Sequence, residues 1–383
     1  MHVPAPAFEH SQKVTRHLQQ KIEQAGGWLS FKDWMTEVLY APGLGYYAAG
    51  ATKLALRCSQ NQSPLVGDFV TAPELSPAFG RTLARQILQV MHDQGLTKIL
   101  EFGAGSGQLA CDILQFVQDH QHTPIQYSIL EISSDLRERQ QQLLTQAGLK
   151  AQWLDQIPEG FEGVILANEV LDAMPVHVLR WSDDSRVLER GVINLNGGFA
   201  WQDRVASQSL ADSLADRMPA LPGYITEINL QAEAWTRTLA SHIRQGLIFL
   251  IDYGFTQHEY YHPQRSKGTL MCHIQHRAHD DPFFAPGLQD ITAHVDFSAI
   301  AASAHSAGLD VLGYTSQARF LLNAGLHEEL LQNPDLQSVQ HLRRVEKLLS
   351  EAEMGELFKV LALGKGTNIS LVGFSRGDRR HQL

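Results

Sequence analysis

The chain is poor in features that would place it outside the cell or across a bilayer. It has 383 residues and only three cysteines, Cys58, Cys111 and Cys272, far apart and with no C-x-x-C pair. That spacing suits a reduced compartment. The longest aliphatic run, Leu247-Ile-Phe-Leu-Ile251, is far too short to span a membrane. Basic charge is in deficit: 31 Lys and Arg face 41 Asp and Glu, a formal net charge of −10. A nucleic-acid partner is thereby excluded at this level, because phosphate binding needs a basic face. The first residues include Pro4, Pro6 and Glu9 and contain no apolar h-region, so no secretory signal is read there. There is no internal repeat and no low-complexity tract. The expectation is a cytoplasmic enzyme.

What is present centres on Lys98-Ile-Leu-Glu-Phe-Gly-Ala-Gly-Ser-Gly107. An apolar run ends in an acid and enters a glycine turn that opens a helix from Gln108 to Val117. Such a turn presents bare backbone N–H groups to a nucleotide-like ligand. The spacing is G-x-G-x-G at Gly103, Gly105 and Gly107, not the dinucleotide pattern G-x-G-x-x-G. Glu101 would repel a pyrophosphate but suits a ligand with an amino group and a sulfonium. Glu131 ends the next apolar run, Gln126–Glu131, where an acid accepts both ribose hydroxyls. Together these favour S-adenosylmethionine over a dinucleotide. The bland alternative is a tight strand–helix turn whose glycines serve packing alone.

The remaining chain reads as α/β with additions. Helices are expected at 10–25, 31–39, 74–95 and 296–307, and strands at 98–102, 126–131, 163–168, 247–252 and 309–315. A helical stretch at 335–362 and a final strand at 368–375 close the reading. Residues 1–95 form an N-terminal helical or lid region, and 96–383 the core. The core is interrupted by a β-containing insertion at about 179–245, with helical additions at about 316–362. Within the insertion, alternation around Asn196-Gly197 spells a β-hairpin.

Three further clusters carry chemistry. Val164-Ile-Leu-Ala-Asn-Glu-Val-Leu-Asp172 delivers Asn168 and Glu169 to a strand's carboxyl end, where open α/β sheets bind ligands. Glu169 and Asp172 can grip a guanidinium, whose planar fork matches a carboxylate; alternatively both cap the following helix. Asp68, Thr71, Glu74 and Ser76 lie in a turn-rich stretch before a helix. Thr71, Ser76 or Arg81 would meet the cofactor's carboxylate, while Asp68 and Glu74 are substrate-cleft candidates; Ser76 ahead of Pro77 is equally a good N-cap. Cys272, His273, His276 and His279 crowd one short segment and cannot converge on one tetrahedral ion, so no metal is expected. Thr292, His294 and Asp296 are cap or cleft candidates. His294 is of a residue type suited to proton transfer near neutrality, although a structural histidine is the commoner reading.

The motifs Gly67-Asp-Phe-Val-Thr-Ala-Pro-Glu-Leu-Ser, Glu101-Phe-Gly-Ala-Gly-Ser-Gly, Asn168-Glu-Val-Leu-Asp-Ala-Met-Pro-Val, Ile251-Asp-Tyr-Gly and Asp290-Ile-Thr-Ala-His-Val-Asp-Phe, in that order, resemble the MidA family over roughly residues 10–375. Its mitochondrial members are complex I assembly-factor protein arginine methyltransferases. The resemblance implies a class I methyltransferase fold: a Rossmann-like, mostly parallel seven-stranded sheet with one late antiparallel strand. It also implies S-adenosyl-L-methionine as cofactor and a protein arginine as acceptor, on a partner such as a complex I core subunit. The family's glycine turn often has Pro and Arg where this chain has Ala104 and Ser106, which leaves cofactor affinity open. With no Arg-rich leader, the chain resembles a bacterial cytoplasmic relative. A small-molecule methyltransferase and a non-catalytic assembly factor are the alternatives; a nicotinamide dehydrogenase is disfavoured by the glycine spacing. The sequence leaves oligomeric state open, a homodimer included.

Overall fold

The computed structural model describes residues 5–49, 71–120, 124–275, 277–367 and 369–383. By compactness the chain forms two units, each discontinuous in sequence: residues 1–69, 172–232 and 257–294 in the first, and 70–171, 233–256 and 295–383 in the second. A single cut at residue 95 does not reproduce them, because the helix Pro77–Gln94 belongs with the second unit.

The second unit is built on seven strands: β1 (Lys98–Phe102), β2 (Gln126–Leu130), β3 (Gln152–Leu154), β4 (Phe161–Asn168), β5 (Ile243–Phe255), β6 (Asp310–Ser316) and β7 (Phe358–Lys365). Their order across the sheet is β6-β7-β5-β4-β1-β2-β3. Neighbours from β5 to β3 pair in parallel. Only β7 runs against its neighbours, β5 and β6. The two-residue strand Val295–Asp296 pairs in parallel beside the end of β5. The sheet is thus mostly parallel with one late antiparallel strand. Its central strands are near-continuous apolar runs because both faces are covered; Leu247 to Ile251 are all buried.

The helix Pro77–Gln94 starts at Ser76, whose hydroxyl accepts from Ala78 N, and stops at Gly95 in the left-handed region with φ 65°. It lies close to the helix Gln108–His120: a Cβ on Gly80 would stand 2.6 Å from Asp112 Cβ.

One expectation fails here. The final strand is Phe358–Lys365, not 368–375; Val372–Phe374 is a 3-10 turn, and the stretch expected to stay helical to 362 ends at Leu357. The sequence Phe-Lys-Val-Leu-Ala-Leu-Gly-Lys is buried on both faces, so it lacks the alternation that marks a half-exposed strand.

The first unit is antiparallel. Strands Leu29–Ser30, His177–Trp181, Val187–Leu195, Gly198–Val205 and Ile225–Ile228 form one sheet. Met271–Ile274, Arg277–His279 and Asp290–Thr292 form another. The expected hairpin turns at Asn196 and Gly197, with φ 52° and 82°, and Leu195 pairs with Gly198. The helices Ala5–Gln24 and Phe31–Tyr40 bury Val14, Leu18, Ile22, Phe31, Trp34 and Met35 in this unit's core. Among the described residues, no helix is long and apolar enough to cross a membrane.

Candidate functional site

Strand register sets the site in the second unit. Phe102 at the end of β1 pairs with Leu130 of β2 on one side and Ala167 of β4 on the other. The next residues, Gly103, Glu131 and Asn168, therefore emerge side by side, roughly one strand spacing (~4.8 Å) apart. After β1 the strand order reverses, and such a switch point opens a crevice beyond the carboxyl ends of the strands.

The glycine turn has the conformation its composition demands. Gly103, Gly105 and Gly107 have φ 59°, 54° and 86°, a region that side-chain-bearing residues avoid. Gly103 is exposed, and Gly107 N closes the turn on Ala104 O at 2.8 Å. Behind it, Glu101 is 2 % exposed and accepts from the Tyr127 hydroxyl at 2.9 Å. Burial pushes its carboxyl up to about 8, against the pull of the Tyr127 hydrogen bond and with a smaller push from Glu131. Glu131 accepts from Ser133 N at 2.9 Å and from Gln140 Nε2 at 3.0 Å. Burial raises it as well, opposed by those donors. The neighbouring Ile132 is 79 % exposed, an apolar side chain at a polar strand tip.

At the tip of β4, Asn168 Nδ2 donates to Glu169 Oε1 at 3.0 Å, and Asn168 Oδ1 is buried with no hydrogen-bond partner among the described residues. Glu169 takes φ 54°, a strained value for a non-glycine residue, and its N–H donates to Ile251 O at 2.8 Å. Nearby, Asp252, fully buried in β5, accepts from Leu171 N at 3.0 Å and Tyr253 N at 2.9 Å. Backbone tension is thus concentrated on the residue that carries a carboxylate out of the sheet.

The other sequence candidates separate. Ser76 is fully buried, and its hydroxyl serves the helix cap rather than a ligand. Arg81 is held by Glu329 and Asp119 above the ring of Phe116, so it does not face a cofactor carboxylate. Thr71 precedes the helix Ala72–Leu75 and makes no side-chain cap bond; Glu74 lies in that helix. Asp68 lies outside the described residues. Asp172 and His294 belong to the first unit. There, Asp172 is buried and its carbonyl accepts from Ala293 N at 3.0 Å, while His294 N donates to Thr269 Oγ1 at 3.1 Å. Asp296 caps the helix Phe297–Ser306 through Ala299 N. Cys272 and His279 face each other across a strand pair, and burial pushes the Cys272 thiol far up. Among the described residues no group of three or more His, Cys, Asp or Glu can hold a metal ion; His276 lies outside them.

Three polar features fit an S-adenosyl ligand: an exposed glycine turn, an acid at the tip of β2, and the orphaned Asn168 oxygen. The profile of a family described as "Putative S-adenosyl-L-methionine-dependent methyltransferase" matches residues 82–315. The chain belongs to this family, the MidA family of the motif resemblance. The methyltransferase is 47 % identical, with a TM-score of 0.93 over 100 % of both chains, to a "likely methyl transferase from Burkholderia thailandensis bound to S-adenosyl-homocysteine". It is 27 % identical to the mitochondrial protein arginine methyltransferase NDUFAF7 of Homo sapiens, over 94 % of this chain and 85 % of that protein. Identity to the Drosophila melanogaster homolog is also 27 %, over 94 % and 88 %. This methyltransferase therefore uses S-adenosylmethionine.

Sequence reading missed Gln140, Tyr127, Trp153 and Ile132. Only Gln140 left a signal: it shares the buried stripe of the helix Ser134–Gln146 with Leu144, an amide where an apolar residue is expected.

Proposed function

We propose that this methyltransferase transfers a methyl group to an arginine nitrogen of a protein. The observation that carries the reading is Glu169, held at positive φ on the tip of β4, next in the sheet to the glycine turn. Relatives named as protein arginine methyltransferases support the acceptor class.

In this reading Glu131 accepts the ribose hydroxyls, Ile132 offers an apolar face to the adenine, and Glu101 lies near the amino group. Thr71 is the remaining hydroxyl for the carboxylate end, since Ser76 and Arg81 are engaged elsewhere. The cofactor, when bound, supplies an electrophilic methyl on a sulfonium. Glu169 binds the guanidinium bidentately and aims one nitrogen's lone pair, so positioning and fixed charge supply the acceleration.

The test is incubation of cell lysate with labelled S-adenosylmethionine and the purified enzyme, then mass spectrometry. Methylated arginine in a protein supports the reading; a labelled metabolite with no labelled protein overturns it. Glu169→Gln should lower turnover about 100-fold while S-adenosylhomocysteine affinity stays within about twofold. Loss of that affinity would move Glu169 to the cofactor side.

A further inference from the structure

Gln140 is fully buried, and its amide makes three hydrogen bonds. Its Nε2 donates to Gly105 O at 3.0 Å and to Glu131 Oε2 at 3.0 Å, and its Oε1 accepts from Trp153 Nε1 at 2.9 Å. The orientation of the amide follows from chemistry: an indole N–H only donates, so the amide oxygen must face Trp153. Both amide hydrogens are then directed at the glycine turn and the β2 carboxylate. Gly107 leaves the room for this, since a Cβ there would lie 3.2 Å from Gln140 Cγ. Trp153 is itself anchored in β3, where its carbonyl accepts from Arg137 at 3.2 Å. One uncharged side chain therefore ties the ends of three neighbouring structural pieces: the turn after β1, the acid after β2 and the indole of β3.

We propose that Gln140 is a positioning residue for nucleoside recognition. It fixes the turn and the Glu131 carboxylate in one relative geometry, so that the site selects a ligand bearing a free ribose diol. The inference rests on the reading of Glu131 as the ribose acid. Gln140 suits the task because an amide donates to a carboxylate without neutralising it, leaving the other lone pairs of Glu131 for the ligand. A Lys there would compete with the ribose, and a Glu would repel Glu131.

The test is calorimetric affinity for S-adenosylhomocysteine and for its 2′,3′-dideoxy analogue, in four proteins with thermal unfolding monitored. The wild type should prefer the diol. Gln140→Met, similar in volume and without the hydrogen bonds, should weaken S-adenosylhomocysteine binding by about 10- to 100-fold and the dideoxy analogue far less. Trp153→Phe keeps the amide but frees its orientation, and should narrow the same preference by a smaller factor; it also serves if Gln140→Met does not fold. A preference as large as the wild type's in these variants overturns the proposal, as does an equal loss for both ligands. Glu131→Ala separates the underlying reading: it should abolish the diol preference, and a preference that survives it removes Glu131 from the ribose whatever Gln140 does.

Discussion

The glycine turn of the second unit and Gly191 of the first put the same residue type to different uses. In the second, positive φ clusters at Gly103, Gly105, Gly107 and Glu169, on two neighbouring strand tips, besides glycines that follow helices, such as Gly95 and Gly148. In the first, Asn196 and Gly197 reverse a hairpin, and Gly191 serves close packing: a Cβ there would stand 2.2 Å from the Trp28 ring. The same residue type leaves backbone exposed at Gly103 in the second unit and lets the Trp28 ring approach Gly191 in the first. Strained backbone that opens onto solvent beside an unsatisfied polar group points to chemistry; a glycine whose Cβ position is filled by neighbours points to packing.

That contrast can be broken by substitution. Gly191→Ala forces Trp28 and the Leu29 carbonyl apart and should destabilise the fold by about 2–3 kcal/mol, with S-adenosylhomocysteine affinity of the folded fraction unchanged. Chemical denaturation and calorimetry check it; a parallel loss of affinity would mean the contrast is false. Gly103→Ala meets Val170 Cγ2 at 3.2 Å and needs φ 59°. It should cost about 1 kcal/mol of stability but about tenfold in cofactor affinity. Gly197→Ala at φ 82° meets nothing within 4 Å. It should cost about 1 kcal/mol or less and leave binding untouched.

A smaller effect sharpens the electrostatic side. Because burial lifts Glu101 to about 8, its carboxyl is largely protonated at neutrality in the ligand-free protein. Folding therefore carries no penalty from it below the ordinary value of 4.5, and a growing one as pH rises from there toward 8. Glu101→Gln removes that penalty, so its stability advantage over the wild type should widen across this window in thermal melts. If the ligand's ammonium sits by Glu101, binding at pH 7 should release up to about one proton, seen as a buffer-dependent heat that vanishes in Glu101→Gln. A buffer-independent heat in the wild type would place the ammonium elsewhere.

Much of the second unit was legible because its signals are local. The runs ending at Phe102, Leu130 and Asn168 name their own strands, the glycines name their own turn, and Ser76-Pro77 names a helix start. β7 was not legible: a doubly buried strand after an amphipathic helix carries no period of two. Ser76 and Arg81 looked like ligand contacts because a sequence cannot show that Ala78 N and Glu329 already occupy them.

The sequence by itself determined the strand–turn–helix at 98–120, the acids that follow it and hence the cofactor class, since each depends on residues adjacent in the chain. Only the tertiary structure decided that Gly103, Glu131 and Asn168 emerge together and that Gln140, bonded to Trp153, ties Gly105 to Glu131. Strand register and the single orientation available to a buried amide are set by partners distant in sequence. No local pattern of residues carries that information.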